Sequence, residues 1–274
     1  MPRPESPSTN RRPHNQRSRW QALFYDVHTT LADTVSEEEI DIHFTHMPAR
    51  YWPRAEAATV CEHLQLIRQF FLRLHAPNAA ATSPVVTWRH RPERRITEVT
   101  ICTWDRLGLL AHVAGAFAHV DLNILRADIY TRADHVALDV FEVTDQDGDW
   151  VKDESKLQLM TTLLDAALQP TATRPKPVLR RTRARKTGLA PAIQVGLDSD
   201  RAYSILTFEA DDRVGLLYQV FTRLAECDIS VVHAIITTEA GRAGDVLYVT
   251  DAQRQPVTDP QGLELLQERL LEVL

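Results

Sequence analysis

The chain carries the same unit twice. Residues 103–131 (TWDRLGLLAHVAGAFAHVDLNILRADIYT) align with residues 210–238 (ADDRVGLLYQVFTRLAECDISVVHAIITT) at a constant offset of 107. Asp105, Arg106, Gly108, Leu109, Leu110, Val113, Ala118, Asp121, Ala127, Ile129 and Thr131 all recur. After a one-residue deletion the match resumes at offset 106, where Ala137, Asp139, Val140, Val143, Thr144 and Asp145 meet Ala243, Asp245, Val246, Val249, Thr250 and Asp251. Such agreement means two copies of one small unit of ~80 residues each.

The two copies read alike. Val99 and Ile101 alternate with Glu98 and Thr100 as in a half-buried strand, and Leu206 with Phe208 repeats the pattern. A tight DRxG turn follows. Leu109, Leu110, Val113 and Phe117, like Leu216, Leu217, Val220 and Leu224, then form one helical stripe. Leu125, Ala127 and Ile129 predict the next strand, Val136 to Val143 another, and Leu157, Met160, Leu164 and Leu168 a closing helix, matched in the second copy by Leu263, Leu266, Leu270 and Val273. A ferredoxin-like unit needs one more strand, yet the sequence stops at Leu274. The candidates lie upstream: Val85, Val86 and Trp88 before Arg91-Pro92-Glu93, and Ile193, Val195 and Leu197 before Asp198-Ser199-Asp200. Each unit is therefore expected to open with a hairpin whose first strand fills the edge normally taken by the last.

The expected fold class is α+β: two ferredoxin-like units, each a four-stranded antiparallel sheet with two helices on one face, preceded by a helical segment. The boundaries follow from composition. Residues 1–19 hold Pro, Ser, Asn and Arg with one acid and are expected to be a disordered tail. Residues 20–77 make the helical segment: Ser36 before three glutamates is a helix start, and Val60, Leu64, Ile67, Phe71 and Leu74 predict a long helix over about 55–75. A connector at 78–84 precedes the first unit at 85–170. A basic linker at 171–191, with seven basic and no acidic residues over 174–186, precedes the second unit at 192–274.

Several functional classes fall away. With 31 Lys+Arg against 37 Asp+Glu, the net charge of −6 argues against a nucleic-acid coat or a membrane-seeking surface, although the linker run alone would suit an acidic partner. Three widely spaced cysteines form no zinc motif and suit a reduced, cytoplasmic setting. Eleven histidines are scattered; His112 and His119 share a helix face without further ligands. No phosphate-binding loop, nucleophile elbow or HExxH motif is present.

A strand ending in Asp-Arg-x-Gly-Leu-Leu, a helix and then Asp-Leu-Asn-Ile resemble ACT domains, small regulatory modules that commonly bind amino acids. The tandem, with HFTHMPARYW at 43–52 ahead of it, is similar to the C-terminal region of the PII uridylyltransferase/uridylyl-removing enzyme family over roughly residues 40–274. That resemblance implies a regulatory role without catalysis, with glutamine as the ligand it suggests. The family's catalytic half would need a Gly-Ser turn with a metal-binding Asp-x-Asp pair and a His-Asp metal centre. Asp198-Ser199-Asp200 imitates the pair without the Gly-Ser turn, and no His-Asp dipeptide occurs.

The turn itself offers a chemical rationale. Gly108 and Gly215 lack a Cβ, so a ligand can approach the backbone. The N–H groups of Leu109 and Leu110, or Leu216 and Leu217, sit at a helix N-terminus, where free donors and the dipole favour a carboxylate. Asp105 or Asp212 can take the ammonium of the same zwitterion. The resemblance adds backbone groups at Asn123 and Ile124, or Ser230 and Val231, from the adjacent or partner unit. The same glycine and acid also serve plain turn geometry and capping in any βα unit, and it is their joint recurrence that singles them out. Leu107 and Val214 stand where the family often has proline. No cofactor and no metal are expected; the expected partners are an amino acid, a second copy in a homodimer and a further protein. A scaffold with decayed sites and a uridylyltransferase remnant are the competing readings. Asp139 and Asp245 recur inside a strand with no chemical role assigned.

Overall fold

The computed structural model describes residues 14–74, 83–169, 188–198 and 202–274. The first 13 residues of the expected tail, most of the 78–84 connector, the basic run and Ser199-Asp200 lie outside the described residues.

The N-terminal segment is a layer of three helices: α1 (His14–Leu31), α2 (Glu37–His46) and α3 (Ala57–Leu74). Residues 14–19, expected to belong to the tail, are already helical. Val27 and Leu31 anchor the far end of α1 in the core, and Gln16, Arg17 and Arg19 are good helix formers through which it extends backwards. Ser36 caps α2 as expected, in a reciprocal box: the Glu39 amide donates to the Ser36 hydroxyl and the Ser36 amide donates to the Glu39 carboxylate.

Each repeat folds into the expected sheet. The first contains β1 (Val85–Arg91), β2 (Ile96–Trp104), β3 (Asn123–Thr131) and β4 (Val136–Thr144), ordered β1-β2-β4-β3 and antiparallel throughout. The second contains β5 (Ala192–Leu197), β6 (Ser204–Asp211), β7 (Ser230–Ile235), a two-residue β8 (Thr238–Glu239) and β9 (Arg242–Thr250), ordered β5-β6-β9-β7 with β8 adding a fifth strand beside β9. β1 and β5 occupy the edges beside β2 and β6, as the opening hairpins predict. Helices α4 (Leu109–His119) and α5 (Glu154–Ala167) cover the first sheet, α6 (Leu216–Glu226) and α7 (Pro260–Leu271) the second. Asp121 and Asp228, matched in the repeat, both have left-handed backbone (φ 59° and 56°) in the turn leaving α4 and α6, a conformation that aspartate tolerates better than most residues.

The two units are not separate beads. One apolar core runs through both, from Val99 and Phe117 to Phe208 and Leu247. α4 packs on α6 and edge strand β3 lies against edge strand β7. A Cβ on Gly115 of α4 would stand 3.1 Å from the Tyr218 ring of α6, so the missing side chain lets the helices approach.

The other face of the first sheet is covered by the helical layer. Val85, Cys102, Tyr130, Val136 and Leu138 join Phe44, Tyr51, Trp52 and Phe70 in a second core. His43 is fully buried there among Phe44, Tyr51 and Trp52, and neither ring nitrogen has a partner. Burial holds His43 well below the ordinary histidine range, so it folds neutral. Burial also brings His63, hydrogen-bonded to the Tyr51 hydroxyl at 2.8 Å, down to about 4. A histidine that charges in the unfolded chain near 6.5 but stays neutral when folded supports stability above that value and loses the contribution as pH falls through the folded value, up to about 1.4 kcal/mol per pH unit for each group. His43→Phe is therefore expected to raise the melting stability by roughly 1–2 kcal/mol at pH 7, by removing two unsatisfied nitrogens, and to lessen the loss on acidification. Thermal melts of both proteins between pH 4.5 and 7.5 check this.

Candidate functional site

The two DRxG turns have the same backbone. Gly108 (φ 79°) and Gly215 (φ 86°) are left-handed N-caps of α4 and α6, where a residue with a Cβ would be strained. The Leu109 amide closes the turn on the Arg106 carbonyl (3.1 Å) and the Leu216 amide on the Arg213 carbonyl (3.0 Å). Helical bonding begins at His112 and Gln219, which donate to the Gly108 and Gly215 carbonyls. Leu110 and Ala111 in the first turn, and Leu217 in the second, therefore keep backbone donors free for an anion. Of the two leucine amides expected to serve each site, only the second is available.

The arginine of the motif does something else. Arg106 donates to the Leu168 carbonyl at the end of α5 (2.7 Å), and Arg213 to the Val273 carbonyl beyond α7 (2.6 Å). Each guanidinium satisfies the C-terminal carbonyls of its unit's closing helix, where a cation is favourable. Asp and Gly border the cleft; Arg ties the turn to the rest of the unit.

Pairing of the units completes two crossed clefts. One is lined by Asp105, Gly108, Leu109 and Leu110 together with Ser230 and Val231 of the second unit. The other is lined by Asp212, Gly215, Leu216 and Leu217 together with Asn123 and Ile124 of the first. The structure thus brings all twelve expected residues together in two sets of six, each drawn from both repeats. The strand segments contributed across the seam carry matching register shifts, between Ile124 and Arg126 and between Val231 and His233. Such bulges re-aim a strand's side chains where it leaves regular pairing. Both clefts are narrow, with cavity volumes of ≈ 30 and ≈ 20 Å³. A molecule the size of an amino acid must part the units to enter.

The acids are placed differently in the two clefts. Burial pushes the Asp105 carboxyl upwards, opposed by Arg254 at 3.9 Å, the Thr131 hydroxyl and His135. Asp212 is pushed up in the same way, but it already accepts a hydrogen bond from the Asn123 side chain at 3.0 Å and another from Thr238. The counterpart of Asn123 in the first cleft is Ser230, whose shorter side chain makes no such bond to Asp105. Asp139 and Asp245, which the sequence left without a role, also line the clefts, on the helix-facing side of β4 and β9. Their signal in the sequence was an acid recurring among apolar, inward-facing strand positions.

Two wider grooves lie elsewhere. One runs between α3 and the first sheet past Glu62, Gln69, Trp88 and Arg89, the other beneath Arg54 past Tyr130 and Glu142. The second passes the start of α3 at Thr59, but the Arg89–Glu62 and Arg54–Asp128 pairs already match charges in the two grooves. Among the described residues no group of three or more His, Cys, Asp or Glu side chains is placed to hold a metal, and no helix is long and apolar enough to cross a membrane.

No family model matches the chain. Curated relatives do. The bifunctional uridylyltransferase/uridylyl-removing enzyme of Gluconobacter oxydans is 28% identical over 250 residues, 89% of this chain and 26% of that enzyme. The enzymes of the same name from Rhodospirillum rubrum and Pseudomonas entomophila are each 28% identical, over 85% and 86% of this chain and 24% and 26% of their own length. The chain spans about a quarter of the length of the curated relatives it matches. Among solved structures, an aspartate kinase from Synechocystis covers 65% of this chain at 22% identity with a TM-score of 0.39, matching 27% of that kinase.

Proposed function

We propose that this chain, a homologue of about a quarter of the uridylyltransferase/uridylyl-removing enzymes, is a cytoplasmic, non-catalytic amino-acid sensor of the tandem ACT type, with glutamine the first ligand to test. The observation that carries the reading is the crossed pair of clefts: in each, a free helix-terminal amide from one repeat, at Leu110 or Leu217, and a carboxylate beside it face strand residues of the other. An α-amino acid presents a carboxylate and an ammonium on one carbon, which suits that arrangement. A ligand in either cleft touches both units. Because the empty clefts are narrow, binding has to favour an arrangement with the units further apart, and the differential affinity shifts the population. Arg50, which bridges β3 and β7 from the helical layer, passes the change to the N-terminal helices.

The two sites should not be equal. Asp212 is hydrogen-bonded across the seam by Asn123, whereas the contact that reaches Asp105 from the second unit is Arg254 at 3.9 Å, its hydrogen bond from Thr131 coming from its own unit. Calorimetric titration with each of the twenty amino acids is expected to show binding by one or a few, in two steps of different affinity, the tighter at Asp105. Silence across the panel at millimolar concentration would count against sensing and favour a pairing scaffold. We place the homodimer contact on the outer face of the second sheet, where Ile205, Thr207, Val246 and Tyr248 are only partly buried. The receiver of the signal would be a further protein.

A further inference from the structure

At the floor of each cleft lies a carboxylate that the protein itself does not satisfy. Asp139 projects from β4 towards the helices, in register with Ile101 on one side and Ile129 on the other, and is 1% exposed. Neither of its oxygens has a hydrogen-bond partner. Asp245 occupies the same position of β9, opposite Phe208, with no exposure. Its Oδ1 accepts from the Thr237 amide at 3.0 Å, and its Oδ2 has no partner. Burial is the main cause that pushes both carboxyls up, Asp245 to about 7, with the neighbouring acid, Asp105 or Asp212, adding to it; the nearby Tyr130 amide and Arg50 oppose the shift at Asp139 only in part.

A buried acid with a carboxyl oxygen left bare is costly in either protonation state, since the neutral form still leaves polar atoms without partners. Apolar residues of similar size would pack such a strand position better. Yet both repeats have aspartate there, and each faces the cleft that holds a free amide, Leu110 or Leu217, at its other pole. The missing donor must enter through the cleft. It has to be cationic, because it meets two carboxylates, and small, because the walls are Leu109, Ala137 and Ile129 in one cleft and Leu216, Ala243 and Ile236 in the other.

We propose that Asp139 and Asp245 accept the ammonium group of the bound molecule, each with its outer neighbour Asp105 or Asp212, and so restrict the clefts to ligands with a free primary amine. The proposal rests on the amino-acid reading and adds to it which residues choose the ligand class. Blocking the amine by acetylation removes the charge and adds bulk at the floor of the cleft, so an N-acetyl amino acid is excluded although its carboxylate is unchanged.

The test titrates wild type, Asp139→Asn and Asp245→Asn with the tightest-binding L-amino acid of the panel and with its N-acetyl derivative. Wild type is expected to bind the free amino acid at least 100-fold more tightly than the acetylated one, and each variant to lose tenfold or more at one of the two sites. If wild type binds but both variants bind equally well, the assignment of these acids is overturned while the sensor reading stands. If wild type binds no amino acid, the reading fails and this assignment of the ligand falls with it. The melting temperature of empty Asp139→Leu provides a second measurement. It is expected to rise by roughly 2–4 °C, because the acid is buried with both oxygens short of a hydrogen bond and burial outweighs what Tyr130 and Arg50 offer it. A fall of that size would give Asp139 a structural role and overturn the proposal.

Discussion

Gly108→Val combined with Gly215→Val is expected to lower amino-acid affinity by about 100-fold or more, roughly 2.7 kcal/mol, while the protein stays folded. Both glycines have φ near 80°, a region costly for β-branched side chains. Relief of that strain rotates the turn and with it the Leu110 and Leu217 amides, and the new isopropyl group stands at the mouth of the cleft. The strain itself is on the order of 1–2 kcal/mol per site, a part of the ordinary stability of a folded protein. Calorimetry reads the affinity and circular-dichroism melts read the fold. Unchanged affinity in a folded double variant would remove the turns from the binding site.

Arg50→Ala is expected to loosen the seam between the units, lowering stability by about 2–3 kcal/mol. Strands β3 and β7 lie side by side but belong to separate hydrogen-bonded sheets. Arg50 reaches from the segment after α2 and donates to the Val232 carbonyl of β7 and the Ile129 carbonyl of β3. Its removal leaves two carbonyls at the seam without that donor and cuts the direct tie between the helical layer and the second unit. Lysine is expected to rescue in part, because one Arg50 nitrogen, Nη2, makes both bonds and an ammonium also carries several N–H donors on one nitrogen, although from a shorter side chain. Hydrogen exchange at 230–235 should quicken in the variant; unchanged exchange and unchanged melting would show that the apolar core holds the units without it.

Much of this architecture was legible because the repeat is local. Alternation at Val99 and Ile101, the stripe from Leu109 to Phe117 and the hairpin before each unit fixed strands, helices and edges, and the cap at Ser36 fixed the start of α2. The cleft residues were legible as types and spacings. What spacing could not give was partnership: that Ser230 and Val231 serve Asp105, and Asn123 and Ile124 serve Asp212, follows only from α4 meeting α6 across the absent side chain of Gly115. Burial was hidden in the same way. Asp139 and Asp245 read as strand acids without a role: both faces of the first sheet are covered, so alternation gives Asp139 no solvent side, whereas Asp245 shares its parity with the buried Ala243 and Leu247 and is turned inward by it. The Leu109 and Leu216 amides looked free by their helix position, and only the closed turn shows them engaged.

Amide hydrogen exchange with and without saturating glutamine, or whichever amino acid titrates best, is the most direct measurement. The account expects protection to rise in pairs, at 108–111 together with 229–232 and at 215–218 together with 122–124, since each molecule touches both repeats. Protection confined to the turns of one unit, or seen only at the grooves beside α3, would contradict it.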